Sequence, residues 1–260
     1  MEKDKIRFMI VCAPRTGSTM LRLLLNSHSI ICSHGEVFAN NFHVRGFVGV
    51  DRYFVGMCQR EKVETPIYQK LREIRNKDPV RFLHEFVLYP GTFSAVGFKI
   101  LYGTLWASNW KNVLDEVLAD NNIKIIHLTR KNRLRRFLSA YTVANVTGVT
   151  LALSEDERPE IAKISVSVDE CIADMRRVTT EELQIRHEFS GHRVFEITYE
   201  EVINPADSKL IELQQFLGVE PELLTTPTVK LLSDDLREII ENYVELYEAF
   251  RGTPYEAYLQ

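Results

Sequence analysis

Apolar positions along the chain alternate between two rhythms. IRFMIVC (6–12) is a short, nearly unbroken apolar run, the pattern of a strand covered on both faces. A polar turn follows, and STMLRLLLNS (18–27) is then apolar on most faces, as in a helix packed inside the molecule. FSAVGFKIL (93–101), IKIIHLT (123–129) and RVFEIT (193–198) repeat the strand pattern. Helical spacing fills the intervals. PVRFLHEFVL (79–88) is short and amphipathic, and TLWASNWKNVLDEVLAD (104–120) carries Leu105, Val113, Leu114, Val117 and Leu118. NRLRRFLSAYTVA (132–144) sets Leu134, Phe137, Leu138 and Tyr141 on one face. The segment 167–189 opens with Ser167 and Glu170 at capping-box spacing. The segment 233–250 carries a stripe of Leu236, Ile239, Ile240, Tyr243, Tyr247 and Phe250 behind a Ser233 cap.

Strands alternating with helices predict an α/β fold, a three-layer sandwich around a central parallel sheet. Ligands of such sheets collect at the carboxyl ends of the strands. No internal repeat or low-complexity tract interrupts the pattern. The aromatic-rich stretch 34–66 fits neither rhythm, and its place after the first helix suggests a lid or a substrate wall.

Composition narrows the class. The 260 residues, 45% hydrophobic and 26% charged, suit a soluble globular protein, read here as one domain over 1–260. A net charge of -4 gives no overall attraction to nucleic acid or an anionic membrane. Cys12, Cys32, Cys58 and Cys171 follow no metal or redox spacing, so a reducing cytoplasm is the simplest setting. The first apolar run is too short for a signal sequence, and no stretch is long enough to span a bilayer. A homo-oligomer is compatible with the chain, which carries no signal for or against one.

CAPRTGST (12–19) lies in register with the phosphate-loop pattern G-x-x-x-x-G-K-[ST]. Gly17 and Thr19 match; Cys12 replaces the first glycine and Ser18 the lysine. A glycine turn at a helix start gathers unpaired amides and the positive end of the helix dipole, which together attract an anion. Thr16, Ser18 and Thr19 add hydroxyls, and Arg15 adds a forked cation suited to an oxyanion. Without the lysine, and without a strand ending in a metal-binding Asp, a single phosphate and no metal fit better than a nucleoside triphosphate. A plain strand–helix turn is the alternative. A second basic station follows the strand at 123–129, where Arg130 stands at its carboxyl end and Ser139 nine positions on. Lys131, Arg133, Arg135 and Arg136 read in part as a solvated helix face, in preference to ligand contacts. Two anion stations on one sheet match a nucleotide with phosphates on both sides of its ribose.

With these residues in view, the chain resembles the sulfotransferases that use 3′-phosphoadenylyl sulfate (PAPS). PRTGSTML is similar to their 5′-phosphosulfate loop, and HLTRKNRLRRFLSAY to their 3′-phosphate motif in its bacterial carbohydrate-type form. FEITYEEVINPADSKLIELQQFLGVEP (195–221) matches a third stretch. Arg15 stands where many cytosolic members carry lysine, and FRGTPYEAYL (250–259) replaces their C-terminal glycine-rich basic motif. These departures favour the carbohydrate and tyrosylprotein branches.

The resemblance implies a P-loop NTPase-like sulfotransferase fold, PAPS as donor, 3′-phosphoadenosine 5′-phosphate (PAP) as product and no metal. It implies catalytic roles for Glu36 as base, Lys99 on the transferring group and Arg15 on the bridging oxygen. Thr16, Gly17, Ser18 and Thr19 would join Arg15 around the 5′-phosphate, Arg130 and Ser139 would hold the 3′-phosphate, and Tyr199 would pack near the adenine. Val37 and Phe38 are expected to desolvate Glu36. His34 is the second candidate base, and Glu200 reads as structural. Each residue has a plainer alternative: a surface carboxylate for Glu36, a backbone-bonded loop histidine for His34, a strand-end lysine reaching solvent for Lys99, a core tyrosine for Tyr199. The expected acceptor is a carbohydrate or glycolipid hydroxyl, with peptide tyrosine, lipid alcohol and polyketide hydroxyls open. Phe38, Phe42, Phe47, Tyr53 and Phe54 would stack on a sugar, line an apolar tunnel or fill the core. A P-loop kinase of a small metabolite and a non-catalytic nucleotide-binding protein are the competing functions.

Overall fold

The first apolar run, Ile6–Cys12, is the central strand, β1, of a five-stranded sheet. The computed structural model describes residues 5–39, 65–204 and 208–259. The other strands are β2 (Ile31–His34), β3 (Ala95–Leu101), β4 (Lys124–Thr129) and β5 (Val194–Thr198), in the order β2-β3-β1-β4-β5. All pairings are parallel; β1 runs against β3 from Ile6↔Ala95 to Cys12↔Leu101 and against β4 from Phe8↔Lys124 to Cys12↔Leu128. The main helices are α1 (Ser18–Ser27), α2 (Thr65–Lys77), α3 (Lys111–Ala119), α4 (Arg133–Thr142), α5 (Val168–Glu188), α6 (Lys209–Phe216) and α7 (Tyr243–Phe250).

The period-two alternation of a strand divides its side chains between two cores. Phe8, Ile10 and Cys12 pack with Leu21 and Leu25 of α1 and Leu213 of α6. Met9 and Val11 face the opposite way, toward Val113 and Val117 of α3 and Val178 and Ile185 of α5. Each such buried side chain is worth about 1.5–3 kcal/mol. Helices on both faces complete the three-layer α/β sandwich. A third core sits beside the sheet, where Leu134 and Leu138 of α4 meet Cys171 and Met175 of α5 and Leu246 and Phe250 of α7.

Several elements depart from the sequence pattern. The stretch 104–120 is not one helix: a turn at Tyr102–Leu105 and a 3₁₀ turn at Ser108–Trp110 precede α3. The apolar pattern has a gap between Leu105 and Val113, and the chain breaks inside it so that Trp110 reaches the core. The segment 79–88 is a turn of α-helix, Pro79–Phe82, capped by Asp78 and widening into a π-helix at Leu83–Val87. The stretch 233–250 divides at Ile240, whose neighbours pair with Ile164: the Ile164 amide donates to Ile239 at 2.8 Å and the Glu241 amide to Ile164 at 2.9 Å. Asp235, not Ser233, caps the short helix Leu236–Ile239. Strand β2 and helix α2 carry no pattern strong enough to have been expected. The wall proposed at 34–66 falls mainly on 40–64, outside the described residues, with Phe42, Phe47, Tyr53 and Phe54. Phe38 is core, edge-on to Phe82, Phe98 and Trp110.

Gly97 in β3 lies against the ring and carbonyl oxygen of Phe8, inside the space that a Cβ would need. Gly97→Ala is expected to destabilise the fold by roughly 3 kcal/mol, measured by urea unfolding. A midpoint equal to the parent's would contradict this close packing of β1 on β3.

Candidate active site

Every strand delivers a candidate residue at its carboxyl end. β1 runs into the loop 13–17, β2 leads to Glu36, β3 carries Lys99, β4 leads to Arg130 and β5 to Tyr199. Parallel pairing makes this convergence unavoidable, since all five strands end on the same side.

The loop is locally strained and locally held. Gly17 caps α1 in the left-handed region (φ 80°), and Arg15 has φ 67°, the one non-glycine residue with positive φ among those described. That conformation costs a side-chain-bearing residue about 1–2 kcal/mol. The buried Thr16 hydroxyl donates to the Ala13 carbonyl at 3.0 Å and so braces the turn from beneath. The first bond of α1 runs from the Leu21 amide to Gly17 at 3.0 Å. No side chain caps this helix, so the amides of Ser18, Thr19 and Met20 are left to a ligand. Tyr199 covers Gly17: a Cβ there would lie 2.5 Å from its ring.

At the second station the same ring lies under Arg130, whose guanidinium carbon is 4.3 Å from the ring centre. Arg130 donates to the Arg15 carbonyl at 3.2 Å, and its buried Nε has no hydrogen-bond partner. Arg15 reaches the other way. Its Nε donates to Ser139 Oγ at 3.0 Å and its terminal nitrogen to the Thr150 carbonyl at 2.9 Å. The side chain expected at the bridging oxygen thus lies, in this state, at the second station. Burial pushes both guanidinium pKa values down, and for Arg15 the charge of Arg130 adds to the effect. Two crowded, desolvated cations are what an incoming dianion would relieve.

A third group joins the loop to β2. The Lys99 ammonium is 2.7 Å from Glu36 Oε1 and donates to Thr19 Oγ1 at 3.2 Å. This pairing explains a lysine that is 6% exposed in an apolar strand, and excludes the solvent-reaching alternative. Glu36 itself stays one-third exposed, at 33%. Val37 and Phe38 turn into the core beneath it, so the neighbours expected to desolvate the carboxylate face away from it. His34 ends β2 in the interior, 3.8 Å from the Cys32 sulfur. Burial, with Arg22 adding to it, pushes the imidazole pKa down to about 4. Such an imidazole is a weak proton acceptor near neutral pH.

Arg15, Gly17, Ser18, Thr19, Glu36, Lys99, Arg130, Ser139 and Tyr199 all line one cavity of about 1190 Å³. Thr16 alone of the predicted residues does not; it supports the loop from below. The cavity exceeds the roughly 300–1,000 Å³ usual for one small ligand. Its roof, missed from sequence, is the strap 219–235 that joins α6 to the helix at Leu236–Ile239. Pro221, Leu223, Thr228 and Lys230 of this strap line the cavity. Glu222 anchors one end by accepting from the Ser29 amide at 2.9 Å; the Val229 amide donates to Ala152 at 3.1 Å near the other. PELLTTPTVKLL has no periodicity and no chemical motif to announce such a role.

Of the basic helix face, Lys131 is exposed and the three arginines are not. Arg133 forms a two-pronged pair with Glu182 at 2.9 and 2.8 Å, Arg135 binds the Ser233 and Asp234 carbonyls, and Arg136 is wholly buried. Glu200 is structural, accepting from the Lys131 and Asn132 amides at 2.9 and 3.1 Å. Pro205, in the third stretch, lies outside the described residues.

No protein-family model matches the chain. It is 26% identical over 255 residues to Nodulation protein H of Rhizobium tropici, covering 97% of this chain and 92% of that protein. The fold matches a sulfotransferase domain of the Synechococcus PCC 7002 olefin synthase with a TM-score of 0.53, at 17% identity, over 99% of this chain and 87% of that one. It also matches a sulfotransferase domain from the curacin biosynthetic pathway, TM-score 0.51 and 16% identity, over 84% and 76% of the two chains. The chain has the fold of these sulfotransferase domains. Among the described residues, no group of three or more His, Cys, Asp or Glu is placed to hold a metal, and no helix is long and apolar enough to cross a membrane.

Gly17→Ala is expected to destabilise the protein through two separable effects, backbone strain of about 1–2 kcal/mol and collision with Tyr199. Adding Tyr199→Ala should recover only the collision, giving a non-additive double-mutant cycle by thermal unfolding; additive losses would show that the ring does not pack on the loop. Acidification gives a second readout. His34 is neutral in the folded state down to about pH 4 but protonates near its ordinary value of 6.5 when unfolded. Unfolding therefore takes up a proton between these values, and stability falls as pH drops through the window, by up to about 1.4 kcal/mol per pH unit. Replacing His34 with Asn should flatten that slope, and an unchanged slope would refute the assignment.

Proposed function

We propose that this protein is a sulfotransferase, which moves the sulfuryl group of PAPS to a hydroxyl of a carbohydrate or glycolipid. The observation that carries the reading is the opening of two cationic stations and a carboxylate–ammonium pair into one cavity. The buried, unpartnered Nε of Arg130, in the same cavity as Ser139, suits a 3′-phosphate, and the uncapped amides of α1 suit a 5′-phosphate. The size of the cavity favours donor and acceptor being held together.

Sulfuryl transfer, like phosphoryl transfer, has a loose transition state, so positioning and charge do most of the work. The sulfur–oxygen bond to the 5′-phosphate breaks as the bond to the acceptor oxygen forms, and PAP leaves. Glu36 takes the acceptor proton. Lys99 holds it through Oε1, which leaves Oε2 for the hydroxyl, and the same ammonium sits at Thr19 where negative charge builds on the transferring oxygens. Arg15 and Arg130 stabilise the leaving nucleotide. His34, interior and weakly basic, is the poorer base. The choice of a carbohydrate acceptor rests on the resemblance of the motifs to the carbohydrate-type branch. The same reading takes 1–260 as one domain working in the cytoplasm.

Incubation with labelled PAPS and a panel of sugars, glycolipids and tyrosyl peptides tests donor and acceptor together. PAP should raise the melting temperature and ATP with Mg²⁺ should not, because selective binding stabilises the folded state; the reverse would favour a kinase. Glu36→Gln is expected to lower turnover by about 10²–10⁴-fold while leaving PAP affinity unchanged. Arg130→Gln should weaken PAP roughly 10–100-fold by calorimetry, the worth of a charge-assisted hydrogen bond. Near-normal turnover in the first variant would remove Glu36 as the base, and unchanged affinity in the second would remove Arg130 from the phosphate site.

A further inference from the structure

Arg136 is the largest fully buried side chain among the described residues, 1% exposed, and does not line the cavity. It projects from α4 toward the loop and donates to the Pro14 carbonyl at 3.3 Å. Its other end forms an ion pair with Asp174 of α5. Asp174 is itself held by Arg177 at 2.6 Å, so the carboxylate is fixed from a second side. Burial, reinforced by Arg177, pushes the Arg136 pKa down to about 10, which leaves it charged at neutral pH.

Pro14 and Arg15 are consecutive, and their carbonyls are taken by two arginines: Pro14 by Arg136 and Arg15 by Arg130. In a trans peptide the N–H points opposite to the carbonyl, so fixing these two carbonyls also fixes the amides of Arg15 and Thr16. The residue between them is Arg15, the described non-glycine residue with a left-handed backbone. Such a conformation persists only where its surroundings over-determine it.

We infer that Arg136 is a positioning residue: braced by Asp174, it holds the Pro14 carbonyl so that the loop keeps its anion-binding shape before any ligand arrives. The inference rests on the reading of this loop as the 5′-phosphate site. Arg136 bonds the Pro14 carbonyl, one residue before the carbonyl that Arg130 holds in place, so its loss should fall mainly on the end of the nucleotide that the loop amides bind. Removing it leaves Asp174 still paired with Arg177, so an orphaned buried charge is avoided.

The test compares adenosine 5′-phosphate and adenosine 3′-phosphate by calorimetry on the parent, Arg136→Met and Arg136→Lys. Arg136→Met is expected to weaken the 5′-phosphate ligand about tenfold or more and leave the 3′-phosphate ligand within about twofold, and Arg136→Lys should restore part of the loss. Should Arg136→Met fail to fold, Asp174→Asn, which loosens the brace without removing the arginine, is expected to show the same selectivity. Equal weakening of both ligands, as general destabilisation gives, overturns the inference, and so does no weakening of either. A parent protein that binds neither nucleotide would instead overturn the 5′-phosphate reading, and the positioning role with it.

Discussion

Positive charge gathered at the carboxyl ends of a parallel sheet is the constraint on which the rest of this molecule depends. Arg15 and Arg130 share one small volume, and Arg136 stands just behind them. Desolvated cations repel, and each must be matched by hydrogen bonds or by charge. The chain supplies matches unevenly. Arg136 has Asp174, Arg133 has Glu182 and Lys99 has Glu36. Arg15 and Arg130 have only carbonyls, a serine hydroxyl and the face of Tyr199. Of these five cations, the two without a carboxylate are the two at the proposed nucleotide, a separation between charge matched inside the protein and charge left for a ligand.

That separation depends on α4. Its first turn carries Arg133, which ties it to α5, and its next turns carry Arg136 and Ser139, which reach the loop and Arg15. One helix is therefore fastened to the scaffold on one side and to both proposed phosphate stations on the other. Rigidity passes from the ion pairs of α5 through α4 into a loop whose own backbone is strained. A site built this way needs little reorganisation when an anion arrives, which is the condition for electrostatic stabilisation to be effective.

Most of the sheet was legible because the strands of a covered parallel sheet leave short apolar runs, and four of the five do so, the half-buried edge strand β5 included. β2 escaped notice because ICSH has two polar residues of four, made tolerable by packing under α1, where Asn26 bonds the Ser33 backbone at 2.8 Å in both directions. The long segments 104–120 and 233–250 misled because a helical stripe records which residues are buried and not whether the backbone between them is continuous. Nine of the ten residues singled out do meet at one cavity, eight of them near a strand end or a helix start and Ser139 from within α4. What the sequence could not convey is direction. Arg15 lies in the loop but reaches the second station, and Arg136, similar in sequence to its solvated-looking neighbours, points inward. The strap over the cavity has no periodicity at all, because its role is set by where its two ends are anchored.

The missing phosphate-loop lysine can now be given a physical reading. Ser18 occupies its place in the chain, but an ammonium still reaches the start of α1: it comes from β3, as Lys99, and bonds Thr19 Oγ1. In the triphosphate-binding pattern the hydroxyl at that position serves a metal ion. Here it serves a lysine that is also paired with Glu36. Moving the cation from the loop to the neighbouring strand therefore does two things at once. It places a positive charge at the hydroxyl that would otherwise hold the metal, and it ties that charge to a carboxylate at the cavity wall. A loop carrying its own lysine would have no such link to β2. The substitution at Ser18 and the lysine at 99 are thus one feature of the design, and it joins the proposed transfer site to the proposed base.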